Sequence, residues 1–330
     1  MEENKTNPLL QIRDLHVHYM SEGREICAVN GVSLDINPGE TIGLVGETGA
    51  GKTTMALSIM KLIQQPAGRY AGGEILFGGE DLLRASENAM HHIRGNQIAM
   101  IFQDPMTSLN PVYTVGDQIA EVISLHQHMK SKQALARAGE VLEMVGIPRE
   151  RADEYPHQFS GGMKQRVCIA MALAANPQLL IADEPTTALD VTIQAQVLDL
   201  MGKLKRELNT AMILITHDLG IVSEVCDKVA IMYAGRIIEF GTLEEIYLHP
   251  THPYTLGLFN SIPKPDQKIR RLTPIKGLMP DPADLPKGCA FAPRCNYACE
   301  QCQNACPQTE NIGGTHTVAC LRWRELAQKQ

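Results

Sequence analysis

Residues 46–53, which read Gly46-Glu47-Thr48-Gly49-Ala50-Gly51-Lys52-Thr53, decide the fold. They fit the pattern G-x-x-x-x-G-K-[ST] at every fixed position, between an apolar run at 41–45 and a helical pattern at 53–63. In this context the glycines let backbone N–H groups converge on phosphate oxygens, and the helix N-terminus adds a partial positive charge. The stretch therefore predicts an α/β fold with a site for nucleotide phosphates.

Two side chains of this loop have specific predicted roles. We expect Lys52 to place its charge on the β and γ phosphates and Thr53 to bind Mg²⁺ through its hydroxyl group. The remaining predicted ATP contacts come from the loop and the first helical turn, at Gly46, Thr48, Gly49, Ala50, Gly51 and Thr54.

A pair of acidic residues completes the predicted phosphate chemistry. The apolar run 179–182 predicts a buried strand, and Asp183 and Glu184 follow it directly. Open α/β sheets bind their ligands at the carboxyl ends of the strands. We therefore expect Asp183 to hold Mg²⁺ and Glu184 to polarise the attacking water.

Between these two motifs, residues 159–163 read Phe159-Ser160-Gly161-Gly162-Met163. This segment resembles the signature LSGGQ of the ATP-binding subunits of ABC transporters, with Phe159 in place of Leu and Met163 in place of Gln. The resemblance implies that Ser160, Gly161, Gly162 and Met163 contact the ATP that is bound by a second subunit.

Four more positions match that family in the expected order. Gln103 corresponds to the glutamine that reaches Mg²⁺ and the attacking water, and residues 187–190 match the D-loop. His217 corresponds to the switch histidine, and Tyr19 stands where the family stacks an aromatic ring on adenine. The resemblance thus implies Glu184, His217 and Gln103 as catalytic residues and ATP and Mg²⁺ as ligands.

The resemblance also predicts the organisation of the chain. It implies an ABC-type ATP-binding domain over 1–240, with a mixed sheet core, an antiparallel β subdomain and an inserted helical subdomain at about 104–165. Residues 241–330 form the predicted C-terminal accessory domain, a Cys-rich extension.

Residues 103–111, the segment 252–255 (His-Pro-Tyr-Thr) and the tail resemble dipeptide and oligopeptide importer ATPases, a group that includes nickel importers. The implied function is ATP hydrolysis that powers peptide import. The implied partners are a second ATPase subunit, identical or related, two membrane permease subunits and, indirectly, a peptide-binding protein. Nickel import, or action on nucleic acid or ribosomes as a soluble ABC-type ATPase, are the alternatives.

Charge and hydropathy bear on these alternatives. The chain has 30 Lys and Arg against 37 Asp and Glu, a formal net charge of −7. A broad nucleic-acid face needs a basic footprint, so we expect no nucleic-acid partner. The apolar runs are shorter than the roughly 20 residues of a membrane helix, and residues 1–10 lack the pattern of a secretory signal. We therefore expect a protein that is soluble when isolated and peripheral at the cytoplasmic face of the membrane.

Six of the nine cysteines follow residue 288. The spacing C-x5-C-x6-C-x17-C resembles importer tails that bind a [4Fe–4S] cluster, which implies Cys289, Cys295, Cys302 and Cys320 as ligands. Four thiolates also suit Zn²⁺, but the absence of paired C-x2-C knuckles favours iron. Cys299 and Cys306 are spare thiols or replacement ligands. Since the ATP motifs end before residue 220 and the cysteines follow a proline-rich stretch, we expect a structural cluster that is not needed for ATP hydrolysis.

Overall fold

The computed structural model describes residues 7–187, 189–261 and 274–327. Its strands are β1 (Leu10–Ser21), β2 (Arg24–Ile36), β3 (Thr41–Val45), β4 (Gly68–Phe77), β5 (Glu80–Asp81), β6 (Ile98–Ile101), β7 (Leu179–Asp183), β8 (Ala211–Thr216), β9 (Lys228–Tyr233), β10 (Arg236–Thr242), β11 (Glu310–Gly313) and β12 (His316–Val318). Its helices are α1 (Lys52–Ile59), α2 (Glu87–Ile93), α3 (Pro105–Ser108), α4 (Val115–Gln127), α5 (Ser131–Met144), α6 (Gly161–Leu173), α7 (Val191–Leu208), α8 (Leu219–Val225), α9 (Leu243–Leu248), α10 (Pro253–Asn260), α11 (Glu300–Asn304) and α12 (Trp323–Ala327).

The described residues form two compact units, and each is made of several chain segments. The first unit contains 7–10, 36–41 and 77–215, and the second contains 11–35, 42–76 and the described residues from 216 onward. The predicted domain boundary near residue 240 falls inside β10. That boundary and the helical subdomain at about 104–165 stay predictions.

Three parallel strands, β6, β7 and β8, form the centre of the first unit. Leu179 pairs with Ile98 on one side and with Ala211 on the other. All residues of β7 and β8 are buried, as expected for parallel strands that are covered on both faces. This sheet delivers Asp183 and Glu184 at the carboxyl end of β7.

Several helices of the first unit begin at side-chain caps. Thr114 accepts a hydrogen bond from the backbone N–H of Asp117 at the start of α4, and Asp190 accepts one from Ile193 at the start of α7. Such caps satisfy N–H groups that have no partner within the helix. Helix α4 packs against α5 and α6.

In the second unit, parallel and antiparallel pairs occur in one sheet. β3 pairs with β9 in parallel, and β9 pairs with β10 in antiparallel orientation through a turn at Ala234 and Gly235. Both turn residues have positive φ, 46° and 79°, as a two-residue hairpin turn of type I′ requires. β12 pairs with β10 and β11 with β12, so the C-terminal hairpin extends the sheet. In a second sheet, β1 lies between β2 and β4.

A buried acid ties this C-terminal hairpin to the rest of the second unit. Glu239 of β10 is 1% exposed and accepts hydrogen bonds from the backbone N–H groups of Thr251 (2.6 Å) and His252 (3.0 Å). Oε1, which accepts from Thr251, also lies 2.9 Å from Nε2 of His316 on β12. Both oxygens of this buried side chain therefore have hydrogen-bond partners.

The predicted proline-rich stretch is described in part. Residues 264–273 lie outside the described residues, and from 274 to 291 the chain forms neither helix nor strand. Within the described part of the chain, no helix combines the length and the apolar character that a membrane crossing requires.

Candidate nucleotide site

The phosphate loop lies in the second unit, between β3 and α1. Two of its glycines stand where a side chain would clash with neighbouring backbone. A Cβ atom on Gly46 would lie 2.2 Å from the carbonyl oxygen of Met232, and one on Gly51 would lie 2.3 Å from that of Ala28. Gly51 also has a φ of 100°, which side chains disfavour. The loop therefore keeps its path only with glycine at both positions.

Lys52 is held inside this loop. Its side chain is buried, and Nζ donates hydrogen bonds to the carbonyl oxygens of Gly46 (2.7 Å) and Glu47 (3.0 Å). The loop is fastened to the β9–β10 turn, because the N–H of Gly235 donates to the carbonyl of Ala50 at 2.9 Å. Thr53 is exposed at the first turn of α1. The ammonium group of Lys52 therefore takes its position from two loop carbonyls.

Tyr19 and His217 also belong to the second unit. Tyr19 is half-buried on β1, and its ring lies 2.8 Å from where a Cβ atom on Gly68 would be. His217 is exposed directly after β8, and the next residue, Asp218, caps α8. The stacking role of Tyr19 and the catalytic role of His217 stay predictions.

The acidic residues lie in the first unit, together with Gln103. Nε2 of Gln103 donates to Oε2 of Glu184 at 2.8 Å, and the hydroxyl group of Thr187 donates to the same oxygen at 3.0 Å. Glu184 has a φ of 46°, a strained value of the kind that concentrates at functional sites. Asp183 is 3% exposed at the end of β7. In the first unit, Gln103 and Thr187, which come from two separate sequence motifs, thus both contact the carboxylate of Glu184.

The signature segment of the first unit forms the start of α6. The hydroxyl group of Ser160 accepts a hydrogen bond from the backbone N–H of Met163 at 3.4 Å. A Cβ atom on Gly161 would have Leu189 as its nearest neighbour, at 4.0 Å, whereas one on Gly162 would lie 2.4 Å from Cγ2 of Ile193. Gly161 therefore leaves open space and Gly162 is needed for packing.

The two departures from the signature, Phe159 and Met163, both contact Arg151. The guanidinium carbon lies 4.4 Å from the centre of the Phe159 ring, and Nη1 lies 3.4 Å from Sδ of Met163. Arg151 also pairs with Glu154 at 2.5 Å. A cation above an aromatic ring is attracted by its π electrons, so Arg151 holds both unusual side chains in one cluster.

The four cysteines predicted as ligands line one small cavity in the C-terminal region of the second unit. Burial raises the pKa of the thiols of Cys289, Cys295 and Cys302, and raises that of Cys320 to about 12. Cys299 lies outside the cavity lining, with its sulfur 3.5 Å from that of Cys302. Among the described residues, no three His, Cys, Asp or Glu side chains are grouped so as to hold a metal ion. The predicted [4Fe–4S] and Zn²⁺ sites are therefore not supported by the arrangement of these thiols.

The C-terminal region contacts the phosphate loop, which the sequence did not indicate. Nη1 of Arg294 lies 3.0 Å from Oε2 of Glu47, and the N–H of Glu47 donates to the hydroxyl group of Tyr254 at 3.0 Å. Met279 lies 2.9 Å from where a Cβ atom on Gly49 would be. Residues from both sides of the proline-rich stretch therefore pack on the phosphate loop.

Comparison with known proteins identifies the family. Residues 29–187 match the family model for ABC transporter, and residues 238–302 match that for oligopeptide/dipeptide transporter, C-terminal region. The oligopeptide transport ATP-binding protein AppD of Bacillus subtilis is 50% identical over 98% of this chain and 99% of its own. OppD of the same organism is 51% identical over 94% of this chain and 87% of its own.

A solved structure has the same fold. It is the dimeric post-hydrolysis state of the ATP-binding cassette MJ0796 bound to ADP and Pi, with a TM-score of 0.64 and 27% identity. The match covers 71% of this chain and 98% of that one. This confirms the predicted α/β fold of the ABC type. The chain therefore belongs to the ABC transporter family, in the group of ATP-binding proteins that carries the oligopeptide/dipeptide transporter C-terminal region.

Proposed function

We propose that this chain is the ATP-hydrolysing subunit of a transporter that imports peptides. The observation that carries the proposal is the contact of Gln103 and Thr187 with the carboxylate of Glu184, at the end of a buried parallel strand. It occurs in a chain that is about half identical to proteins named for oligopeptide transport and ATP binding. Peptide import is therefore favoured over nickel import and over action on nucleic acid.

The roles of the site residues follow from their chemistry. Lys52 neutralises the β and γ phosphates, the loop residues 46–54 bind them through backbone groups, and Tyr19 stacks on adenine. Glu184 polarises the attacking water, and His217 stabilises the charge that develops on the phosphate. Mg²⁺ supplies positive charge to the phosphate oxygens, and the oxygens of Thr53, Gln103 and Asp183 would hold it, since Mg²⁺ prefers oxygen ligands.

A second ATPase subunit completes the proposed site. Ser160, Gly161, Gly162 and Met163 of one subunit contact the γ phosphate that the other subunit binds. The dimeric state named for the related cassette MJ0796 supports this arrangement. Two permease subunits and a peptide-binding protein are the remaining proposed partners, which places the chain at the cytoplasmic face of the membrane.

Reconstitution tests the substrate. The chain is assembled in proteoliposomes with its permease and binding protein, and ATP hydrolysis is measured with dipeptides, with oligopeptides and with Ni²⁺. We expect peptides to stimulate hydrolysis and to accumulate in an ATP-dependent manner. Stimulation by Ni²⁺ alone, or by nucleic acid without a permease, would overturn the peptide proposal.

For the C-terminal cysteines, we propose a [4Fe–4S] cluster with Cys289, Cys295, Cys302 and Cys320 as ligands. The support is that all four side chains line one cavity, and that cysteine thiolates are the usual ligands of such clusters. Protein purified without oxygen should absorb broadly near about 400 nm and contain about four irons per chain. Cys289→Ser with Cys295→Ser should lose the iron, and the control Cys306→Ser, outside that cavity, should keep it. A colourless preparation that contains zinc would overturn the assignment.

A further inference from the structure

Glu47, a variable position of the phosphate loop, is held from two directions by the C-terminal region. Its carboxylate pairs with Arg294 at 3.0 Å, and its backbone N–H donates to the hydroxyl group of Tyr254 at 3.0 Å. Arg294 is 247 positions away in sequence. Both contacts lie within the second unit, so they are part of one compact structure.

Arg294 is itself fixed. Its side chain is 6% exposed, Nε donates to the carbonyl of Lys276 at 3.0 Å, and Nη1 donates to the hydroxyl group of Tyr233 at 3.3 Å. A buried guanidinium with several partners loses little freedom when it pairs with a carboxylate, in contrast to an exposed surface pair. The ion pair with Glu47 is therefore a well-defined contact of the loop.

Aromatic packing holds Tyr254, whose hydroxyl group accepts the hydrogen bond from Glu47, in place. The rings of Tyr233 and Tyr254 have centres 4.7 Å apart, and Phe291 lies 5.3 and 5.4 Å from them. All three are at most 4% exposed. Tilted and edge-on ring pairs at these distances are attractive, so the hydroxyl group of Tyr254 has one position from which to accept.

The position of Glu47 bears directly on Lys52. Nζ of Lys52 donates to the carbonyl oxygen of Glu47 at 3.0 Å and to that of Gly46 at 2.7 Å. A shift of the peptide at Glu47 therefore changes the place of the ammonium group that binds phosphate in the proposed function. No contact of Arg294 with nucleotide is required for this effect.

We propose that Arg294 is a positioning residue of the nucleotide site, which acts through Glu47 on the phosphate loop and on Lys52. This inference rests on the proposed function, since it concerns the same ATP site. It assigns the C-terminal region a task in ATP binding, in addition to its own fold. The loop and Lys52 bind the phosphates in the ground state as well as in the transition state, so a uniform loss of this binding weakens affinity and leaves kcat largely unchanged.

The test is the affinity for ATP of the Arg294→Gln variant, measured by equilibrium binding to the full-length protein. We expect the Kd and the KM for ATP to rise about tenfold, which is typical of coupling between sites, and kcat at saturating ATP to stay within about twofold. A tail that is only tethered by Arg294 would instead lose thermal stability without a change in Kd. An unchanged Kd overturns the inference whatever happens to the stability.

Two further variants keep the test independent of folding. Glu47→Gln removes the same ion pair from the loop side, and we expect the same rise in Kd. Because both changes break one contact, the double variant should bind ATP no more weakly than either single variant. Additive losses in the double variant would overturn the inference.

Arg24→Gln is the matched control. Arg24 pairs with Asp281 of the C-terminal region at 3.1 Å, but the two side chains are 64% and 50% exposed. Such an exposed ion pair contributes little to stability, so its loss should leave the Kd for ATP unchanged. An equal loss of affinity in this variant would show a general effect of tail packing and overturn the specific role of Arg294. If the wild-type protein binds no ATP, the proposed function fails. If the wild-type protein and the Arg294→Gln variant bind ATP with the same Kd, only this inference fails.

Discussion

Gln103 donates a hydrogen bond from its side-chain amide to the carboxylate of Glu184, with 2.8 Å between Nε2 and Oε2. Thr187 donates to the same oxygen, and the N–H of Glu184 donates to the carbonyl of Ile215 at 2.9 Å. These contacts orient one carboxylate oxygen by two neutral donors. In the proposed function Glu184 is the general base, which must be aimed at the proton that it accepts, and these two donors give its carboxylate a defined direction.

The first prediction is that Glu184→Gln lowers ATP turnover by at least about 100-fold, the usual size of a general-base contribution. ATP binding should persist, because the amide keeps the size of the side chain and the phosphate loop is untouched. Phosphate release and the Kd for ATP are measured on the same preparation. Turnover close to that of wild type would show that Glu184 is not the catalytic carboxylate.

A second prediction concerns the contrast between Gly161 and Gly162. Gly161→Asp should fold normally, since the nearest atom to its Cβ lies 4.0 Å away, but its negative charge should repel the γ phosphate of a partner subunit. In the Glu184→Gln background, Gly161→Asp should abolish ATP-driven dimerisation, which size-exclusion chromatography measures. Dimerisation that persists in the Gly161→Asp variant would contradict the shared site.

Gly162→Ala is the structural counterpart of that variant. Its Cβ would lie 2.4 Å from Cγ2 of Ile193, so either the Ile193 side chain or one of the helices α6 and α7 must shift. Overpacking of this kind costs about 1–3 kcal/mol in the free energy of unfolding. Thermal unfolding should therefore show a lower Tm for Gly162→Ala and an unchanged Tm for Gly161→Asp; the opposite order would contradict the packing seen here.

The third prediction is that Tyr254→Phe weakens ATP binding several-fold and lowers stability. The ring still packs on Tyr233, but the half-buried N–H of Glu47 loses its acceptor, a loss of about 1 kcal/mol, the usual size for one hydrogen bond. Tyr247→Phe is the control, because that hydroxyl group donates to the carbonyl of Leu219 away from the loop. It should lower stability without a change in the Kd for ATP. Equal Kd values for the two variants would contradict a role of Tyr254 in the loop.

A fourth prediction concerns thiol reactivity. Burial, with a smaller contribution from Asp104, raises the pKa of the Cys168 thiol to about 12. The thiolate is the reactive form, so at pH 8 Cys168 stays protonated and unreactive in the folded protein. Iodoacetamide should label the exposed Cys306 within minutes and Cys168 only after unfolding, as read by mass spectrometry of peptides. Early labelling of Cys168 would show that α6 opens in the native state.

Local sequence patterns predicted most of the strands and helices that flank the nucleotide-binding motifs. Helix α7 runs from Val191 to Leu208, because Asp190 caps its start and Asn209, with a φ of 50°, ends it. The predicted strand at 41–45 is β3. The predicted helix at 53–63 is shorter, since α1 ends at Ile59. Periodicity and caps act over a few residues, so a single sequence reveals them.

Long-range pairing left no such local signal. Strands β11 and β12 have only four and three residues, and their hairpin joins the sheet where Thr317 and Val318 of β12 pair with β10. The contact of Arg294 with Glu47 joins two ordinary charged residues across most of the chain. Neither an arginine after a proline nor a glutamate inside a glycine-rich loop indicates its partner. The link between the tail and the phosphate loop therefore required the structure.

The last prediction joins the cysteines to ATP binding. Arg294 precedes Cys295 in a turn where the N–H of Ala292 donates to the carbonyl of Cys289 and that of Arg294 to Phe291, both at 2.9 Å. This turn sets the place of the guanidinium group, so a change at the two cysteines should disturb the contact with Glu47. We expect Cys289→Ser with Cys295→Ser to raise the Kd for ATP, and to raise it little further when Arg294→Gln is added, because one route carries both effects. Cys306→Ser should leave the Kd unchanged. If the double cysteine variant binds ATP as wild type does, the turn does not transmit the change at the cysteines to the phosphate loop.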